Sequence, residues 1–375
     1  MGQTLTNLLD RFDFWRLKST VTDNERSGVL LVSSGGIGDT ILFRLIVLRF
    51  RTLLKTNETF HLIVRTESQH VKFLYPRDVQ FHPIDYQKFL KNRKYRRKEC
   101  KRLHGLNLRI AMSTDHLRHP LIDDVIIRAT QAQHKYAMYP RGWPKYDGLL
   151  KRNTKQYDTL IRVPDYMEHR LIRWWHLANE VCGDEQPVPA VTLPKSELPL
   201  PAKPGRDLFM IHPFSAVKER QYSVKMFQSI IEALPDNCDI ALSSGPDDLL
   251  KNPEYKVLLN DPRVYADLTS LEEKASTLQT VKIVISIDSS VMHLATMCGA
   301  PTICLASAAH VIDSIPYDPR MTPNNVSFLY HDMECRMCLG QCSQPLEDDR
   351  YPCIARMESR LIVNKIKDIL GSQGI

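Results

Sequence analysis

The sequence predicts an α/β protein built from two halves of similar size, and three observations carry that expectation. Residues 28–65 read as strand, glycine turn, helix and strand in quick succession. Six prolines crowd the stretch from Pro187 to Pro204. A second strand–helix alternation then starts at residue 207 and runs to residue 306. A chain of 375 residues suits two domains of about 100–200 residues each.

Composition excludes several classes. An apolar share of 43% with 25% charged residues is enough to bury a real core, which excludes intrinsic disorder. Fifteen Gly against 23 Pro, with no triplet period, exclude a collagen-like fibre. The most apolar run, 41–50, contains Arg44 and Arg49 and falls far short of the roughly 20 apolar residues of a membrane span. The N-terminus, MGQTLTNLLDRFDFWRLK, lacks a basic start leading into an apolar stretch, so no secretory signal is read and the cytoplasm is the expected compartment.

Taken in order, 28–33 (GVLLVS) reads as a short buried strand, and Ser34-Gly35-Gly36-Ile37-Gly38 as a turn. Asp39 opens an apolar helical run to about Leu54, and 60–65 (FHLIVR) is the next strand. Residues 107–112 and 121–128 are apolar segments of undecided type, and 166–182 is a helix with a stripe of Leu171, Trp174, Trp175, Leu177 and Ala178. The proline density of 187–204 forbids a regular helix and marks a linker. Beyond it, strands are expected at 207–212, 239–243, 282–287 and 302–306, and helices at 223–234, 271–280, 289–298 and 357–370. Two Rossmann-like domains joined by a proline-rich hinge fit this order.

The first turn carries chemistry. Glycines between strand and helix let the backbone approach a ligand, and the helix start offers free N–H groups. The turn is neither G-x-G-x-x-G nor a Walker loop, and no acidic residue sits about 20 positions on to hold a ribose, so a nicotinamide dehydrogenase is disfavoured. Asp39, at the mouth of the strand–helix turn, reads either as a helix N-cap or as a general base.

Gly-Gly-Ile-Gly-Asp-Thr-Ile-Leu (35–42) resembles the opening motif of glycosyltransferase family 9, the ADP-heptose:lipopolysaccharide heptosyltransferases. Three further segments resemble that family in the same order: IHPFSAVKERQYSVKMF (211–227), GPDD (245–248) and DSSVMHLATMCGAP (288–301). The chain departs from the family pattern where Ser290 replaces a Gly and where Arg220-Gln221-Tyr222-Ser223 replaces a basic-Trp-Pro run.

The resemblance implies a GT-B fold, two Rossmann-like domains facing across a cleft, and inverting transfer of a heptose from ADP-heptose. It implies an acceptor domain 1–186, a linker 187–206, a nucleotide-sugar domain 207–356 and a C-terminal helix 357–375 that can pack back on the first domain. Asp39 becomes the base, with Gly36 and Gly38 shaping the acceptor side. Ser215, Lys218, Arg220, Gly245, Asp288, Ser289, Ser290 and His293 become donor contacts, with one of Lys218 and Arg220 standing in for the family's lysine. Each retains a plainer reading: a solvated loop pair for Lys218 and Arg220, an N-cap for Asp288, and a core histidine bonded to backbone for His293. No metal is required for catalysis.

The net charge of +7 is local. Between Lys88 and Arg102 nine basic residues face one acid, Glu99, and the rest of the chain is close to neutral. A local patch implies a local anionic partner. On the acceptor side of the resembling fold, Lys94, Arg96 and Arg97 could hold an anionic glycolipid or glycan and dock the protein peripherally on the cytoplasmic face of the inner membrane. The alternative is a solvated helix face or a disordered loop.

Cys335, Cys338, Cys342 and Cys353 crowd into one segment, while five other cysteines are scattered. In a reducing compartment such a cluster suits a structural zinc or iron ion held by four thiolates; free or paired thiols are the rival. Cysteine clusters recur in the resembling family, and some protein-modifying members carry an iron-bound finger. The leading expectation is therefore an envelope-glycan heptosyltransferase. The alternatives are a heptosyltransferase acting on protein serines, and a non-enzymatic nucleic-acid-binding protein with a four-cysteine metal site. The basic run lacks interleaved aromatic platforms, so no nucleic-acid partner is expected.

Overall fold

A computed structural model describes residues 26–164, 168–203 and 205–374. The N-terminal segment read for a secretory signal, and residues 166–167 of the helix expected over 166–182, lie outside the described residues. Two units are present. Among the described residues, the first comprises 26–164 and 172–186, and the second 168–171, 187–203 and 205–374.

The first unit is a six-stranded parallel sheet: β1 (Val29–Val32), β2 (Phe60–Arg65), β3 (Gln80–Ile84), β4 (Ile110–Ser113), β5 (His134–Met138) and β6 (Thr159–Ile161), in the order β3-β2-β1-β4-β5-β6. Val32 pairs with Ile63 on one side and Ser113 on the other, so the strand ends are level at the first turn. The helices are α1 (Ile37–Val47), α2 (Tyr86–Lys91), α3 (Arg93–His104), α4 (Asp123–Thr130), α5 (Asp147–Asn153) and α6 (Arg170–Cys182), of which Arg170 and Leu171 count with the second unit. Central strands such as β1 are buried along their whole length, as a parallel sheet covered on both faces requires. Leu30, Val32, Ile63, Ala111 and the inner faces of α3 and α4 form one core.

The second unit repeats this topology. Its strands are β7 (Leu208–His212), β8 (Asp239–Ser243), β9 (Val264–Asp267), β10 (Ile283–Ile287), β11 (Thr302–Leu305) and β12 (Val326–Leu329), in the order β12-β11-β10-β7-β8-β9. The helices are α7 (Val224–Glu232), α8 (Asp248–Lys251), α9 (Leu271–Leu278), α10 (Ser290–Met297), α11 (Pro352–Ala355) and α12 (Ser359–Gln373). In both sheets the chain's direction of winding reverses between the first and fourth strands, the position where ligands of doubly wound sheets bind.

The two segments left undecided resolve as different elements: 107–112 becomes a strand that starts three residues later and ends one residue later, and 121–128 is largely helix, with two acids, Asp123 and Asp124, at the favourable end of the α4 dipole. One expectation needs correction. The proline segment is not a loose linker. Val191 and Leu193 donate backbone N–H groups to Met321 and Met297, Ala202 donates to Ser276, and Gln279 donates to the Pro199 carbonyl. Proline removes donors but leaves carbonyls, and the segment lies stitched along the second unit. The C-terminal helix α12 buries one face within the second unit. Its Ile362, Ile366 and Leu370 are part of the second unit's core with Phe209 and Ile285.

Candidate active site

In the first unit, the glycine turn links β1 to α1. The helix begins at Ile37, and its N-cap is Gly36. Asp39 is therefore not the N-cap: it occupies the third helical position, and its Oδ2 accepts the Gly36 N–H at 2.8 Å. This contact holds the half-buried carboxylate over the turn. Gly35 is required by space. A Cβ there would lie 2.4 Å from Asp39 Cβ and 2.5 Å from its Oδ2. Gly36 has open room around it, so the motif's demand falls on its neighbour.

The basic run is two helices and not a flexible stretch. Asn92 closes α2 and caps α3, accepting the Tyr95 N–H at 3.0 Å. Lys94 and Arg97 are exposed on α3. Arg96 is turned inward: only 4% exposed, it donates Nη1 to the Leu121 carbonyl at 2.8 Å and lies over the Phe89 ring. Its guanidinium holds α3 against the α4 approach, so the expectation that it faces an acceptor is corrected.

In the second unit, the predicted donor residues gather at the C-terminal ends of β7, β8 and β10. Arg220, in a short 3-10 turn after β7, donates Nη2 to Asp288 Oδ2 at 2.6 Å. Asp288 follows β10, so this pair bridges the two strands at the reversal point. Asp288 is not the helix cap either. Ser289 is, with its hydroxyl facing the Met292 N–H, and Ser290 begins α10. Lys218 is exposed and pairs with Glu254 at 3.3 Å, which makes Arg220 the inward-facing member of the two. Ser215 Oγ accepts the Val217 N–H at 3.2 Å, and its carbonyl accepts from Gln221. Gly245, after β8, donates its N–H to Asp248 at 2.6 Å.

His293 is buried and meets the Tyr317 hydroxyl through Nδ1 at 2.7 Å, a side-chain partner where its plainer reading had a backbone one. Tyr317 also lies edge-on to His169. Sequence reasoning missed His310, Ser244 and Ser307. Burial pushes the His310 imidazole below its usual range, and the charges that act on it are Asp288, Arg220, Arg170 and Asp313. Ser244 Oγ, Ser307 Oγ and Arg220 Nε are buried with no hydrogen-bond partner. No motif flags the two serines; their signal is only that each lies one or two residues past a buried strand.

The four clustered cysteines line one small cavity with Ala308, Ala309, Met333, Tyr351 and Pro352. Cys353 is buried, and burial raises its thiol pKa. The segment is fastened by Met337 and Leu339 N–H bonds to Ala308 and Ala309, and by Tyr351 N–H to the Glu219 carbonyl. Four thiols with no carboxylate form a soft donor set suited to zinc or iron. Among the described residues, however, no group of three or more His, Cys, Asp or Glu side chains is arranged to hold a metal ion.

A family model, glycosyltransferase family 9 (heptosyltransferase), matches residues 135–340, more than half of the chain. The chain belongs to glycosyltransferase family 9. As a family 9 member it is a nucleotide-sugar-dependent glycosyltransferase with a GT-B-like fold. It is similar in structure to the Escherichia coli heptosyltransferase WaaC, solved with ADP-2-deoxy-2-fluoro heptose: TM-score 0.65, 15% identity, covering 91% of this chain and 99% of that one. A family 9 glycosyltransferase from Veillonella parvula aligns with TM-score 0.63 and 12% identity over 94% of this chain and 99% of its own. The iron-containing dodecameric glycosyltransferase TibC of E. coli aligns with TM-score 0.54 and 13% identity over 94% of this chain and 78% of its own. At these identities the likeness establishes the fold. No curated protein matches the sequence. Among the described residues no helix is long and apolar enough to cross a membrane.

Proposed function

We propose that this family 9 enzyme transfers a heptose from ADP-heptose, with inversion, to a hydroxyl of a lipopolysaccharide-core or related envelope glycan. The observation that carries the reading is the Arg220–Asp288 pair set beside the N-terminus of α10. There, half-buried Ser289 and Ser290 present hydroxyls and the helix presents free N–H groups, a site suited to a diphosphate. Arg220 gives one nitrogen to Asp288 and keeps its buried Nε for an anion, and Ser244 and Ser307 offer further unpartnered donors. ADP and ADP-heptose bind to the similar WaaC and TibC enzymes, which supports the same donor here.

In the reaction the acceptor oxygen bonds to the anomeric carbon while the bond from that carbon to the phosphate oxygen breaks. ADP departs with the electron pair, and its new charge falls to the α10 N-terminus and Arg220. The acceptor proton passes to the Asp39 carboxylate, held by the Gly36 N–H. We propose that anionic groups of the acceptor, or of the inner-membrane surface, meet Lys94 and Arg97.

A structural zinc or iron at Cys335, Cys338, Cys342 and Cys353 is part of the proposal, supported by their soft four-thiol donor set around one cavity and by the iron of the similar TibC; the thiols would have to draw together on the ion. Metal analysis of the reduced protein is expected to give about one ion per chain, from the four-thiolate ligand set. Absence of metal, with Cys335→Ser harmless to folding, would end it. The same segment favours a second reading, transfer to protein serines.

The test of the main reading is thermal-shift screening with ADP, UDP and GDP, in which ADP is expected to stabilise most. Asp39→Ala should abolish ADP release from ADP-heptose with acceptor while ADP binding stays intact. A variant that turns over normally sinks the reading. Mass spectrometry of envelope glycans from a strain lacking the protein identifies the acceptor.

A further inference from the structure

The reversal point of the first sheet lies between β1 and β4. Ser34, just past β1, donates its hydroxyl to Asp115 Oδ2, just past β4, at 2.9 Å. The other Asp115 oxygen accepts the Leu117 N–H. Asp123, the first residue of α4, belongs to the same group. Its Oδ2 accepts the His119 N–H at 2.5 Å and the Ser34 hydroxyl also acts on this carboxyl, while its Oδ1 is buried without a well-formed hydrogen bond. Tyr86, the first residue of α2, is 8% exposed, and its hydroxyl is also buried without a partner. The charges acting on that hydroxyl are those of Asp123, Arg65, Asp115 and Glu67, so it faces this cluster. Arg65 lies over the Tyr86 ring and donates Nε to the Ser34 carbonyl at 2.7 Å.

Burial, and then the charge of Asp115, push Asp123 up to about 7. Near neutrality the Asp123 carboxyl is therefore protonated about half the time, so it can donate as well as accept. A buried hydroxyl and a buried carboxyl oxygen left unmatched carry a desolvation penalty that a ligand with complementary groups removes.

We infer that Ser34, Tyr86, Asp115 and Asp123 form a positioning subsite in the first unit for adjacent hydroxyls of a neutral saccharide ring. A carboxylate accepts from two neighbouring hydroxyls, and the tyrosine hydroxyl and the protonated carboxyl donate to sugar oxygens. Two carboxyls at one point disfavour a phosphate. The subsite rests on the family 9 reading for its saccharide ligand and deepens it. The polyol part of the acceptor sits here, and its anionic parts meet the basic helix. Ser34 adjoins Gly35 and Gly36, the residues that meet Asp39, so a sugar seated on Ser34 is brought to the turn that holds the base.

Saturation-transfer NMR on the full chain with excess ADP tests this, using methyl α-D-glucopyranoside as the neutral probe and glucose 6-phosphate as the anionic one. The wild-type protein is expected to bind the glucoside. Tyr86→Phe and Asp115→Asn should each weaken it about fivefold or more, the loss of one hydrogen bond. Asp123→Asn should keep the affinity within about twofold, because an amide replaces a protonated carboxyl. Tyr86→Phe removes an unpaired buried group, so its melting temperature should equal or exceed the wild type, which separates lost binding from lost folding. No glucoside signal from wild-type protein that binds ADP, equal signal in both weakened variants, or tighter binding of glucose 6-phosphate through the same residues would overturn the subsite and leave the donor site intact. Glucoside binding that depends on Tyr86 in a protein indifferent to ADP would do the reverse.

Discussion

Arg220 and Asp288, 68 residues apart in sequence, form an ion pair at 2.6 Å in which both side chains are largely withdrawn from water. The pair fixes the guanidinium beside the start of α10. Removing it should weaken ADP binding about 10–100-fold, the range of a charge-assisted hydrogen bond. Arg220→Lys should not restore it, since a lysine cannot hold Asp288 and an anion with separate planar donors. Calorimetric titration of ADP checks this, and an unchanged affinity in Arg220→Ala would remove Arg220 from the donor site.

Gly35→Ala places a methyl group against Asp39. The backbone cannot yield without moving the turn, so the carboxylate moves. Transfer should fall about 100-fold, the usual effect of a displacement of about 1 Å in a reacting group. ADP affinity should stay within about twofold, which initial rates and titration together will show.

How much of this was legible in the sequence follows a physical pattern. The strands 60–65 and 239–243 match the structure residue for residue, because buried parallel strands are continuous apolar runs. The strands that went unread include all four sheet edges, β3, β6, β9 and β12. An edge has one neighbour and tolerates Pro83 in β3 or exposed Tyr265 in β9, so its pattern is weak. The motifs led to Asp39, Arg220, Asp288 and Ser289, but gave the cap of α10 to Asp288 where Ser289 holds it, because that depends on backbone direction. Tyr86, Asp115 and Asp123 converge only through strand order. The adjacent acids at the head of an apolar segment, Asp123 and Asp124, were the one visible hint.

Arg118 and Asp124 form a fully buried pair at 2.8 Å, and Asp124 also accepts from Tyr157 and Asn153. Asp124→Ala strands the arginine charge and should cost about 3–5 kcal/mol, measured by urea unfolding. Asp124→Ala within about 1 kcal/mol of wild type would contradict the burial of that charge.

His169 uses both ring nitrogens while neutral. Nε2 meets the Ser314 carbonyl at 2.8 Å, and Nδ1 accepts the Leu171 N–H at 3.1 Å. Burial lowers it to about 3. The folded state therefore resists a proton that the unfolded state takes up near pH 6.5. The stabilisation is complete above that pH and is lost as pH falls toward 3. At pH 5 the loss should be about 2 kcal/mol. Urea midpoints at pH 7 and pH 5 should fall further apart in wild type than in His169→Gln, and equal shifts would exclude this histidine as a contributor.

Lys94 and Arg97 stand outward on α3, whereas Arg96 stands inward. Lys94→Glu with Arg97→Glu should reduce binding to anionic vesicles at low salt without changing stability. Arg96→Ala should instead cost about 1.5–3 kcal/mol of stability through its lost backbone bonds. Vesicle sedimentation with thermal melts distinguishes the two, and retention by the double variant would dismiss the membrane contact.

The stretch bearing the prolines anchors to Met321, Met297 and Ser276. A C-terminal half cut at residue 207 would shed that strap and expose the backbone and apolar surface it covers. Severing the chain at residue 187 keeps the strap attached, so the boundary for expressing the C-terminal sheet and its strap lies some twenty residues ahead of its first strand.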